Sequence, residues 1–124
     1  MPVSEADFRQ LSLAEPNQWE LHDGVPRRKP SMTFAHNELA WRLSLQLAEQ
    51  LGLRDWVFRV DAGLVRRSAS RFFIPDLMVI PRAEVRRLFP DPNTWEVYPD
   101  PLPLVVEIWS PSTGADDVTR RNGG

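Results

Sequence analysis

Two short runs most constrain what this chain can fold into. Residues 72–80, FFIPDLMVI, and residues 102–110, LPLVVEIWS, are apolar almost throughout. Neither approaches the roughly 20 residues of a membrane span. Both read as strands, and the second is so nearly unbroken that it is expected at a sheet centre, buried on both faces. Yet each holds one carboxylate. Asp76 follows Pro75 directly, and Glu107 interrupts LVVEIWS. Carboxylates are almost never fully buried unless something pairs with them or they bind a metal. A fold built on these strands must account for both acids.

The rest of the chain supplies layers for such a sheet. Ser4 caps a short helix in SEADFRQLSL, with Glu5 and Asp7 in its first turn. WELHDGVPRRKP reads as a strand, a turn at Asp23-Gly24 and a short return limited by Pro26. Leu39, Leu43, Leu47 and Leu51 recur every four residues and predict an amphipathic helix over residues 33–51, stopped by Gly52. DWVFRVDAGLVRR and RFFIPDLMVI are each expected to form a strand, PRAEVRRLF a short helix, and PDPNTWEVYPDPLP a proline-rich loop. A last helix starts at Ser112 or Thr113, and its C-terminal part is expected to be missing. The order implies one mixed α/β or α+β domain spanning residues 1–124, a small sheet flanked by helices.

Composition removes several chemistries. With no cysteine, disulfides, thiolate zinc sites and cysteine nucleophiles are excluded. With only His22 and His36, an all-histidine metal site is excluded too. A bound metal would have to sit on carboxylates, which favours Mg²⁺ or Mn²⁺. The acidic N-terminus lacks a signal peptide's apolar region, so a soluble cytoplasmic protein is expected. Fourteen arginines accompany a single lysine, Lys29, so any mechanism that needs a lysine must use Lys29 or do without. The formal net charge of −2 argues against a strongly basic nucleic-acid binder but leaves room for a local basic face, such as RRK at 27–29 or RR at 66–67. Short runs of this kind are commonly just solvated surface.

Two acids on strands that are neighbours would make a divalent-metal site, each perturbing the other's pKa. A hard cation there would activate water and offset charge on a phosphodiester. The carbonyl of Ile108 would complete the set. The plain alternative is that each acid is salt-bridged to one of the arginines. Ser110 and Ser112 lack a G-x-S-x-G elbow and are not expected to act as nucleophiles.

WELHDG (19–24), AHNELAWRLSLQL (35–47), IPDLMVI (74–80) and LPLVVEIWSPST (102–113) fall in the order and spacing of the Uma2 family of restriction-endonuclease-like proteins, which the chain resembles over roughly residues 7–121. The resemblance implies a PD-(D/E)XK nuclease fold with a four-stranded mixed sheet, and metal-dependent cleavage of phosphodiester bonds, DNA foremost. Asp76 and Glu107 would hold Mg²⁺ or Mn²⁺, and Glu20 would add a ligand or orient water. His36 would touch a substrate phosphate or position Glu20. The chain departs from the family pattern at the lysine. Trp109 stands where the plain motif has it, and counting four residues from Asp117 on the last helix reaches Arg121. An arginine stabilises phosphate but does not serve as a neutral base. An inactive or shortened relative that binds nucleic acid or protein stays open, as does a structural module. A homodimer is compatible with each.

Overall fold

The computed structural model describes residues 2–15 and 17–109. The last helix expected from the sequence, and Arg121 with it, lies outside the described residues.

Local signals produce the elements they predict. Strands β1 (Trp19–His22) and β2 (Val25–Arg28) pair antiparallel around Asp23 and Gly24. Both turn residues have positive φ, 52° and 81°, as a type I′ hairpin requires. Helix α1 (Glu5–Ala14) begins at Ser4, whose hydroxyl accepts the Asp7 N–H. It drives Phe8 into a cluster with Phe72 and Trp95. Helix α2 (Phe34–Leu51) runs from the Thr33 cap to Gly52. Its buried face is not the leucine ladder, because Ala40 and Ser44 are buried while Leu39 and Leu51 are exposed. Small side chains let the helix lie close to β3 (Trp56–Val60).

Two expected strands each break in two. β3 is followed by β4 (Leu64–Ser68), and β5 (Arg71–Phe73) by β6 (Leu77–Pro81). Between β3 and β4 the chain bends through Asp61 and Gly63, both at positive φ. Between β5 and β6 it bends at residues 74–76. Each break moves the chain from one sheet to another. Instead of one four-stranded sheet there is a five-stranded sheet, ordered β2-β1-β5-β4-β7, and a three-stranded one, ordered β3-β6-β8. β7 (Val97–Pro99) lies inside the expected loop and runs parallel to β4. Helix α3 (Arg82–Leu88) follows β6 with Pro81 at its start.

The centre of the small sheet is β6, whose Leu77, Met78, Val79 and Ile80 are all at most 1% exposed. β8 (Leu104–Val106), expected at the centre, is instead a half-buried edge strand. An apolar run shows that a strand packs on both faces, not that it has neighbours on both sides. The molecule is thus mixed α+β. Among the described residues no helix is long and apolar enough to cross a membrane.

Candidate functional site

The site grows from the break between β5 and β6. Leaving one sheet before entering the other strips the ladder partners from Ile74, and Pro75 has no N–H to offer. Side chains of the hairpin region take the stranded groups. Glu20 on β1 accepts the Ile74 N–H at 2.7 Å, and the Lys29 ammonium donates to the Ile74 carbonyl at 2.8 Å. The sheet change therefore draws an acid and the chain's one lysine to Ile74, two residues before Asp76.

Sheet register then collects further acids. β6 pairs with β8 so that Leu77 faces Val106 at the end of the ladder, and Asp76 and Glu107 are the next residues on the two strands. β6 pairs with β3 so that Leu77 faces Val60, and the Asp61 N–H donates to the Asp76 carbonyl at 3.0 Å. Asp61, Asp76 and Glu107 thus stand in a row at one end of the three strands.

Asp76 is buried, 4% exposed, and fully engaged. Its Oδ1 accepts from Lys29 at 3.2 Å. Its Oδ2 accepts the Ile108 N–H at 2.7 Å and lies 3.1 Å from His36 Nε2. Burial resists its charge, but the Ile108 N–H, Lys29 and His36 outweigh burial and hold the carboxyl below its ordinary value. Lys29 Nζ also lies 2.8 Å from Asp61 Oδ1, and its side chain is only 10% exposed. Burial alone would lower the pKa of this ammonium; Asp61 and then Asp76 outweigh burial and raise it.

Glu107 behaves in the opposite way. Burial of its carboxyl, then the negative charge of Asp76, pushes it up to about 7, with Glu20 adding to the effect and Lys29 opposing it. The residue as a whole is exposed. Its open surface belongs to the residue at large, while the carboxyl itself is crowded by the neighbouring acids, so the upward direction stands and water screens its size. Glu20 is held from its other oxygen by His22 Nε2 at 3.1 Å.

A family model described as "Putative restriction endonuclease", Uma2, matches residues 5–122. The chain belongs to the Uma2 family. A solved protein from Anabaena variabilis, described as a "putative nuclease", is similar in structure, with a TM-score of 0.67 at 17% identity. The similarity covers 97% of this chain and 65% of that protein, so the Uma2 chain spans about two thirds of its neighbour's length. At this identity the likeness shows a shared fold. No curated protein matches the chain.

Of the residues singled out in the Uma2 sequence, Asp76, Glu107, Glu20 and His36 come together. His36 contacts Asp76, and the histidine on Glu20 is His22. Neither Asp76 nor Glu107 takes an arginine partner among the described residues. Asp61 was not among the candidates read from the sequence, and Lys29 was marked there only as the sole lysine and as part of the RRK run.

The donor chemistry suits a hard dication. Lys29 pairs with Asp61 and Asp76, and Glu107 is held against ionisation first by burial and then by Asp76, with Glu20 adding to it. Among the described residues no three His, Asp or Glu side chains converge into a metal cage by themselves. Mg²⁺ is commonly held by one or two carboxylates with water on the remaining positions. The Asp76–Glu107 pair fits that pattern.

Proposed function

We propose that this chain is a metal-dependent nuclease-like domain that hydrolyses phosphodiester bonds in DNA. One observation carries the reading: Asp76 and Glu107 are the residues next to the last β6–β8 pair, Leu77 with Val106, and burial together with the Asp76 charge pushes the Glu107 pKa up to about 7. Asp76 and Glu107 would hold Mg²⁺ or Mn²⁺, which when bound supplies water activation and offsets charge on the phosphoryl oxygens. His36 and the Ile108 N–H fix the Asp76 carboxylate in place. Glu20, fixed by His22 and the Ile74 N–H, keeps a third carboxylate beside them, suited to orienting water. Arg27 and Arg28, exposed on the edge strand β2 next to Lys29, would meet the phosphate backbone.

The test is Mg²⁺-dependent cleavage of plasmid DNA. Asp76→Asn and Glu107→Gln are each expected to lower the rate by at least 100-fold, the order of effect of removing one charge-stabilising group from a reaction centre. Cleavage undiminished in both variants sinks the assignment. A second reading, a nucleic-acid-binding relative without turnover, draws on the full engagement of both Asp76 oxygens. Calorimetry with Mn²⁺ separates the two, since that reading requires no binding at the Asp76–Glu107 pair.

A further inference from the structure

Both positions at which a lysine is expected are filled otherwise, by Trp109 and by Arg121. The fold nevertheless brings a lysine to the acids. Lys29 is the residue directly after β2, and its backbone N–H donates to the Gln18 carbonyl at 2.9 Å, which ties it to the start of β1. From there its ammonium reaches three oxygens of the other sheet's end: Ile74 O at 2.8 Å, Asp61 Oδ1 at 2.8 Å and Asp76 Oδ1 at 3.2 Å. Those residues come from the bend before β6 and from the turn after β3. Two of these contacts, to the Ile74 carbonyl and to Asp76, are hydrogen bonds, and the third is an ion pair to Asp61.

A purely structural ion pair would need one acid. Here the ammonium spans the two breaks where the chain changes sheets and contacts the carboxylate at the centre of the acid row. It is also the only lysine among the fifteen basic side chains. The guanidinium of an arginine is planar and forked, and does not place one compact charge among oxygens converging on a point.

We propose that Lys29 is the lysine of this site: a positioning residue that arrives on the β1–β2 hairpin, aims Asp76 and the Ile74 carbonyl, and lodges a permanent positive charge against the acids. The proposal rests on the nuclease reading above. It has two consequences of opposite sign. A resident cation beside Asp76 repels an incoming dication, so removing it strengthens metal binding. The same removal frees the Asp76 carboxylate to turn, so turnover falls. A lysine that merely held the fold together would on removal weaken both.

The experiment compares the wild-type chain with Lys29→Met and with Lys29→Met/Asp61→Asn. The double variant guards against failure to fold, because it removes the buried negative charge that the single variant leaves uncompensated. Calorimetry with Mn²⁺ measures affinity, and single-turnover cleavage of plasmid DNA at saturating Mn²⁺ measures rate. In Lys29→Met the expected result is Mn²⁺ affinity raised about tenfold, as loss of one like charge nearby would give; the double variant, whose two charge losses cancel, is expected near wild-type affinity, and both lower the cleavage rate at least tenfold. Wild-type cleavage retained at full rate in the folded double variant overturns the role of Lys29 and leaves the nuclease reading standing. Affinity and rate falling together in folded Lys29→Met overturn it as well. A wild-type chain that neither binds Mn²⁺ nor cleaves removes the nuclease reading and this proposal with it.

Discussion

Glu107 gives the site its pH dependence. Its carboxyl has an ordinary value of 4.5 and is pushed up to about 7 in the folded chain, first by burial and then by Asp76. Between those values the folded chain binds a proton that the unfolded chain has released. Stability therefore falls as pH rises across that window and levels off above it. Asp76 has the reverse sign: its value lies below 3.8 when folded, so its contribution is present above that pH and is lost on further acidification. Thermal melts from about pH 3 to about pH 8 should show wild-type Tm rising and then declining toward neutrality. Glu107→Gln is expected to keep the acid-side rise and lose the decline. A parallel decline in the variant would place the proton elsewhere. Asp76 and Glu107 were legible in the sequence because an acid in an apolar run is a local contradiction. Asp61 and Lys29 offered no such contrast, since a polar residue at a strand end or after a hairpin is ordinary. Lys29 meets Asp76 across 47 residues of chain, and only the paired sheets supply that proximity.

The turn between β3 and β4 shows why the elements were read unequally. Gly63 has φ near 83°, and a Cβ there would lie 2.5 Å from Met78 Cε and 2.9 Å from both Glu96 Oε2 and Tyr98 Cε2. Left-handed backbone and crowding act together, so Gly63→Ala is expected to lower stability by about 2 kcal/mol, measured by urea denaturation. An unchanged midpoint would mean the turn relaxes without strain. The sequence reading carried one strand straight through this turn. A lone Gly preceded by Asp-Ala is a weaker stop than Asp-Gly, whose paired left-handed residues announced the β1–β2 hairpin correctly. Helix α2 was likewise legible through its caps, Thr33 and Gly52. Its buried face was not, because leucine spacing marks an apolar stripe without saying which stripe has a neighbour. The break at residues 74–76 was hidden for a related reason: the run stays apolar on both sides, as it must when both sheets bury it.

Taken as a body, the chain is mildly acidic, with a formal net charge of −2, so attraction to a polyanion has to come from a local surface. The two candidate basic runs differ in what they already hold. Arg66 is paired with Glu5, and Arg67 lies 3.5 Å from Asp100 and over the Phe73 ring. Arg27 and Arg28 are exposed and have no carboxylate partner among the described residues; Arg28 rests over the Trp19 ring at 5.4 Å. The second pair also leads directly into Lys29 and the acid row, along an edge strand that no other strand covers among the described residues. A phosphate strand following that edge would exchange bound counterions for two guanidinium groups, and each such contact contributes about one unit to the slope of log affinity against log salt. Binding of a duplex oligonucleotide to Asp76→Asn chain, titrated from low to moderate salt, should therefore lose about two units of slope in the Arg27→Ala/Arg28→Ala background. Arg66→Ala/Arg67→Ala should change the slope less, because those arginines are already neutralised by their own acids. The β2 pair should leave Tm nearly unchanged, since it gives up no ion pair, whereas the β4 pair loses contacts to α1 and to the loop after β7. Equal loss of slope in both backgrounds would mean that the duplex does not approach along β2, and the path into the acid row would have to be sought on another face.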